Sequence, residues 1–219
     1  MPLPTEPHEL VYFDFNGGRA EPIRIVFTAI GLDFKDVRLK REEFMAKKKD
    51  GLYPTGVPVL KIGDVEHTQS IAILRYAAML GQSMEGDVAQ LYPADPMTAL
   101  ITDQAIDTAQ DMMAAFPRKE DPDEMKQARE EYMAGKGKTF LGQLEALIKR
   151  ADGPYIGGKY MTIADLSIAL GIVKGIQNGM FDYVPTTFID DNFPEMTNMA
   201  KHVAENPIVV DYYKKLEAK

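Results

Sequence analysis

The stretch from Pro54 to Tyr76 constrains this chain more than any other. Val59-Leu60-Lys61-Ile62 is a short apolar, β-branched run of strand type. Gly63-Asp64 is a turn signal, and Val65 to Thr68 has the length of a returning hairpin strand. Ser70 stands where an N-cap belongs, ahead of Ile71, Ile73, Leu74, Ala77 and Ala78 at helical spacing. A helix N-terminus presents unpaired N–H groups and partial positive charge, so this junction suits a carboxylate. Val57-Pro58 opens the strand. Proline offers no N–H to a ladder, and a cis bond there would turn the backbone of Val57 toward an extended ligand. Loop, hairpin and capped helix together predict a seat for an extended anionic peptide.

Around this stretch the pattern divides in two. Residues 1–9 are rich in proline and read as a loose tail. Leu10 to Phe13 reads as a strand, Asp14 to Gly18 as a turn, and Ala20 to Ile30 as an amphipathic helix closed by Gly31. Phe34 to Leu39 alternates as a second strand, and Arg41 to Asp50 is a short polar helix. Strand, helix, strand, helix, hairpin, helix predicts a thioredoxin-like α/β domain with a mixed four-stranded sheet over residues 1–82. Periodicity lapses from Gly81 to Pro96, which predicts a linker over residues 83–96.

From Met97 onward no strand pattern stands out, and an all-α helical bundle of four or five helices is expected over residues 97–219. One helix carries Leu100, Ile101, Ile106, Met112 and Met113. A second runs from Pro122 to Lys149, with Gly135-Lys136-Gly137 as a point of interruption. Thr162-Ile163-Ala164-Asp165 is a capping box flanked by a Met161–Leu166 staple. Leu166, Ala169, Leu170 and Val173 then make a buried stripe. Asn198 to Glu205 and Ile208 to Leu216 read as terminal helices.

Composition removes several function classes. The 219 residues are 45% hydrophobic and 26% charged, which supports a core. The net charge of −8 disfavours nucleic acid and anionic membrane. Lys47-Lys48-Lys49 is the one tight basic cluster, and it reads as a solvated face. The chain has no cysteine, which excludes disulfides, thiolate metal sites and a thiol nucleophile of its own. Any sulfur chemistry must use a ligand's sulfur. No apolar leader and no run of membrane-spanning length is present, so a cytoplasmic protein is expected.

Val57-Pro58 and Gln69-Ser70, with Tyr12-Phe13 and Gly18-Arg19-Ala20-Glu21-Pro22-Ile23-Arg24 upstream, resemble cytosolic glutathione transferases of the sigma-like class. The matching segments cover roughly the first third of the chain. The resemblance implies a homodimeric transferase with glutathione as co-substrate and small hydrophobic electrophiles as partners, and no metal. It makes Tyr12 the hydroxyl that holds the glutathione sulfur as thiolate, with Arg19 polarising it. In sigma-like relatives the Tyr-to-Arg segment is typically one residue shorter. The extra residue fits the Gly17-Gly18 turn, and counting back from Arg19 without it would select Phe13, which lacks a hydroxyl.

Ser70 and Gln69 would hold the γ-glutamyl end, and Val57 and Pro58 the cysteinyl unit, with Phe13 adjoining. Relatives place a tryptophan and a lysine on the glycyl carboxylate. Phe44 and Lys48 stand at that spacing here, and Lys48 also reads as a solvated lysine. Asp103, Asp107 and Asp111 share a helix face. By resemblance Asp111 reaches the glutathione amine in the partner subunit. A divalent cation between subunits and a solvated acidic face are the other readings. Phe15, Asn16, Met113 and Phe116 would line the electrophile site, although Met and Phe at helical spacing also serve as core. A glutathione-dependent prostaglandin isomerase and a non-catalytic ligand-binding or structural protein of this fold are the rival functions.

Overall fold

The computed structural model describes residues 3–218. Four strands form one mixed sheet in the order β2-β1-β3-β4: β1 is His8–Phe13, β2 Phe34–Leu39, β3 Val59–Ile62 and β4 Val65–His67. β1 runs parallel to β2 in a register from His8↔Phe34 to Phe13↔Leu39, and antiparallel to β3 with Val11 opposite Val59. The parallel crossover is made by helix α1, Glu21–Ala29. Helix α2 spans Arg41–Lys49 and α3 Ser70–Gly81.

Strand alternation sends successive residues of β1 to opposite faces. Leu10 and Tyr12 join the main core with Ile23, Phe27, Leu74 and Ala77. Val11 joins a smaller core on the other face, with Leu39, Phe44, Tyr53 and Val59. The choice between Tyr12 and its neighbour is therefore a choice of sheet face.

The remaining elements among the described residues are helical. A 3-10 turn at Gly86–Gln90 and the fully buried Leu91 occupy the stretch expected to be aperiodic. Then come α4 Pro96–Ala115, α5 Pro122–Ala134, α6 Lys136–Arg150, α7 Ile163–Ile168, a π-helical turn at Ala169–Val173, α8 Lys174–Gln177, α9 Phe188–Asn192, α10 Pro194–Glu205 and α11 Pro207–Glu217. These exceed the four or five helices expected. The helix expected from Pro122 to Lys149 is two, because Gly135 leaves helical geometry at φ −115, ψ −103. The short α9 lies in the part of the chain where no apolar period was legible.

Ser70 is not an N-cap. Gln69 takes that place at φ 71, ψ 99. Its carbonyl accepts the Ile73 N–H at 3.0 Å, which makes Ser70 the first helical residue. The Ser70 hydroxyl is thereby released from capping its own helix.

Asp165 anchors the second half. Its carboxylate accepts the Ile156 N–H, the Thr162 N–H and the Thr162 hydroxyl, each at 2.8 Å, and it is fully buried. Burial pushes its carboxyl up to about 6 against the pull of those donors. The folded state thus holds this proton more tightly than the unfolded chain does, so its contribution to stability falls as pH rises from about 4 to about 6 and is level above. Asp165→Asn is expected to lose that slope in urea melts taken across this range. Asp165→Ala strands buried N–H donors and is expected to destabilise by roughly 2–4 kcal/mol, read from the urea midpoint.

Candidate active site

The site begins with a clamp on the turn between β1 and α1. The Arg19 backbone N–H donates to the Tyr12 hydroxyl oxygen at 3.1 Å. Gly18, at φ +65, makes this approach possible, since a Cβ there would lie 2.6 Å from that oxygen and 2.9 Å from the Phe15 ring. With one lone pair of its oxygen engaged, Tyr12 keeps its proton free to donate, and the incoming N–H polarises the O–H bond toward donation.

Two buried or half-buried arginines pin the same turn. Arg24, 1% exposed, donates through Nη1 to the Phe15 carbonyl at 3.1 Å and to Glu21 at 3.2 Å, and through Nε to Asp36 at 3.0 Å. Its guanidinium lies 5.8 Å from the centre of the Tyr12 ring. Arg38 donates to Asp36 at 2.8 Å and to the Asn16 side-chain oxygen at 3.0 Å.

Two hollows meet at Arg19 and Ser70. The smaller, of about 40 Å³, is lined by Thr55, Gly56, Val57, Pro58, Thr68 and Gln69 in addition to those two. The Val57–Pro58 bond is cis. Gln69 holds a left-handed backbone that L-residues rarely adopt, a form of strain that clusters at binding sites. The first turn of α3 opens here, with its unpaired N–H groups beside the Ser70 hydroxyl.

The larger cavity, of about 310 Å³, is mainly apolar. Tyr12, Phe15, Pro22, Ile71 and Leu74 line it from the first half of the chain. Ala109, Met113, Phe116, Ile172 and Phe181 line it from the second. Tyr12 thus lines the apolar chamber, and its hydroxyl oxygen is bonded to the backbone of Arg19, a residue that both hollows share.

Several residues singled out from sequence lie elsewhere. Asn16 is exposed, with its amide oxygen taken by Arg38, and it does not line the apolar cavity. Phe13 and Phe44 pack edge-to-face at 5.1 Å, with the Lys48 ammonium 5.8 Å from the centre of the Phe44 ring. None of these three lines the seat or the apolar cavity, because alternation turns Phe13 away from Tyr12. Sequence reasoning did not single out Arg118, Arg129, Ser167, Met180 or Asp182, all on the cavity wall. The hydroxyl of Ser167 is buried with no hydrogen-bond partner among the described residues. The apolar stripe of Leu166, Ala169, Leu170 and Val173 was legible and is buried, but it carries no signal for Ser167 on the cavity wall.

The profile "Glutathione S-transferase, N-terminal domain" matches residues 8–79, and "Glutathione S-transferase, C-terminal domain" matches residues 106–216. The chain is 30% identical to Glutathione S-transferase 3 of Caenorhabditis elegans, over 80% of this chain and 83% of that protein. The chain belongs to the glutathione S-transferase family. This transferase is also 31% identical to hematopoietic prostaglandin D synthase of Gallus gallus, over 72% of this chain and 74% of that one. In structure it is similar to the prostaglandin synthase D of Nilaparvata lugens, with a TM-score of 0.75 and 25% identity, over 95% and 98% of the two chains.

The acidic face of the transferase is partly neutralised within the chain. Arg75 on α3 bonds Asp103 at 2.8 Å and Asp107 at 3.3 Å, and Tyr92 donates to Asp103 at 2.9 Å. Asp111 is exposed and has no hydrogen bond or ion pair among the described residues. No helix among the described residues is long and apolar enough to cross a membrane.

Gly18→Ala is expected to displace the Tyr12 hydroxyl or the Phe15 ring and to impose a left-handed alanine. A loss of roughly 1–3 kcal/mol in stability should accompany a fall in transferase activity. Thermal melts and turnover of an aryl halide would measure both.

Proposed function

We propose that this transferase activates glutathione with the Tyr12 hydroxyl and adds its thiolate to hydrophobic electrophiles, as a cytoplasmic, sigma-like homodimer. The observation that carries the reading is the Tyr12 hydroxyl on the cavity wall, anchored by the N–H of Arg19, which both hollows share, with its own proton free. The glutathione thiol is mostly protonated at neutral pH, and only its thiolate is strongly nucleophilic. A hydroxyl donating to sulfur favours the thiolate, and a lowering of one to two pKa units corresponds to about 1.4–3 kcal/mol.

Val57 and Pro58 would meet the cysteinyl unit along the edge of the seat, a strand-addition contact. Gln69, Ser70 and the open N–H groups of α3 would hold the γ-glutamyl carboxylate. Arg19, shared by both hollows, would favour the sulfur's negative charge. Phe15, Met113 and Phe116 would face the electrophile, and methionine adapts its shape to varied apolar groups. The thiolate attacks the electrophilic carbon, the carbon–sulfur bond forms, and the displaced electron pair leaves with the leaving group or moves onto an adjoining carbonyl. Holding both reactants at this junction supplies much of the rate.

One feature supports a dimer. Met79 on α3 and Met97 and Leu100 on α4 are exposed by 53%, 62% and 60%. Asp111, on the same α4, would then reach toward the glutathione amine in the partner subunit. A prostaglandin-isomerising activity is the second reading, favoured by the similarity to the Gallus gallus enzyme.

Retention on immobilised glutathione and turnover of a generic aryl halide test the reading together. Tyr12→Phe is expected to keep glutathione affinity within about threefold while kcat falls roughly 10- to 100-fold. Unchanged turnover in Tyr12→Phe would remove the assigned role. Retention without turnover in the wild type would favour a binding protein.

A further inference from the structure

The apolar cavity carries an excess of positive charge in a chain whose net charge is −8. The charged residues on its wall are Arg19, Arg118, Arg129 and Asp182. Arg19 belongs to the junction with the glutathione seat. Arg118 follows the C-terminal end of α4 and Arg129 lies on α5, and neither lines the smaller hollow.

Arg129 is built into the wall. Its side chain is 12% exposed and its guanidinium lies 4.6 Å from the centre of the Phe116 ring. Nε donates to the Pro117 carbonyl at 3.1 Å, and Nη1 donates to the Asp182 carbonyl and carboxylate, both at 3.3 Å. Nη2 makes no hydrogen bond to any described residue, so the fork keeps one donor pair open. Asp182 is a weak neutraliser, since its side chain is 75% exposed and remains hydrated. Arg118 has no hydrogen bond or ion pair among the described residues.

The bonds to Pro117 and Asp182 hold the guanidinium in one orientation on the cavity wall and leave Nη2 over. The open Nη2, with its two N–H donors, is matched to one oxygen of a carboxylate through a charge-assisted hydrogen bond. We infer that the electrophile is an amphipathic acid, whose apolar body fills the space between Tyr12 and Phe116 and whose carboxylate is held by Arg118 and Arg129. This rests on the transferase reading of the same site. An α,β-unsaturated carbonyl on such a chain balances the chemistry. The glutathione sulfur bonds the β-carbon, the double-bond pair moves to the α-carbon as an enolate, and the proton lost from the thiol is regained at that α-carbon. No oxidant, reductant or leaving group is needed.

The test uses the full chain, glutathione, and two probes: a long-chain trans-enone with a terminal carboxylate, and its methyl ester. The acid is expected to show roughly tenfold higher kcat/KM than the ester, a preference that shrinks as salt rises. In Arg118→Gln the acid-to-ester ratio should fall toward one, and in Arg118→Lys much of it should return, because a point charge remains. Arg129→Lys should also lower the ratio, since it keeps the charge but loses the orientated Nη2 donor. Equal kcat/KM for acid and ester in the wild type would overturn the anionic end and leave the transferase reading standing. An acid preference that survives unchanged in both Arg118→Gln and Arg129→Lys would overturn the assignment to these arginines. Absence of a thioether from either probe and from a generic aryl halide would overturn the transferase reading and this one with it.

Discussion

The hydrogen bond from the Arg19 amide to the Tyr12 hydroxyl is the contact on which the site depends. It joins the end of the first strand to the entry of the first helix, and it occupies one lone pair of the phenolic oxygen. A tyrosine hydroxyl can rotate and accept as well as donate. Engaging its oxygen from the protein side leaves donation as the useful role toward the cavity. Gly18 is the steric condition for that contact, because any side chain there would collide with the oxygen it frames.

This contact survives because the turn around it is over-determined. Arg24 is buried deeply enough that its charge must be met, and Glu21, Asp36 and the Phe15 carbonyl meet it. Arg38 closes the outer side through Asp36 and Asn16. The turn is thus pinned at Phe15 from the inside and at Asn16 from the outside. The cavity is completed by α4 and by the segment around the π turn, so neither half of the chain forms the chamber alone. Asp165 holds the entry of α7 in place through three donors, and α7 leads directly into that π turn.

The alternation of strand residues and the 3.6-residue spacing of helices made the α/β and all-helical parts of the fold legible in the sequence. The hairpin and helix around Val57-Pro58 and Gln69-Ser70 were also legible, because these are local signals with local consequences. What was not legible is set by tertiary contacts. The left-handed backbone of Gln69, which displaced Ser70 from the N-cap position, has no compositional marker. Phe13 and Phe44 were assigned from the resemblance; strand alternation turns Phe13 away from Tyr12, and Phe44 on α2 is buried in the smaller core against it. Asn16 stands beside Phe15 in sequence, yet its amide is committed to Arg38. Arg118 and Arg129 are ordinary charged residues in sequence, and only the approach of α5 to the end of α4 brings Arg129 over Phe116.

The most direct test of the account is a titration of the thiol of glutathione bound to the enzyme, followed by the ultraviolet absorbance of the thiolate. The account predicts that bound glutathione in the wild type ionises about one to two pH units below free glutathione, and that Tyr12→Phe restores most of the difference while still binding it. A bound thiol that titrates at the same pH in wild type and Tyr12→Phe would contradict it.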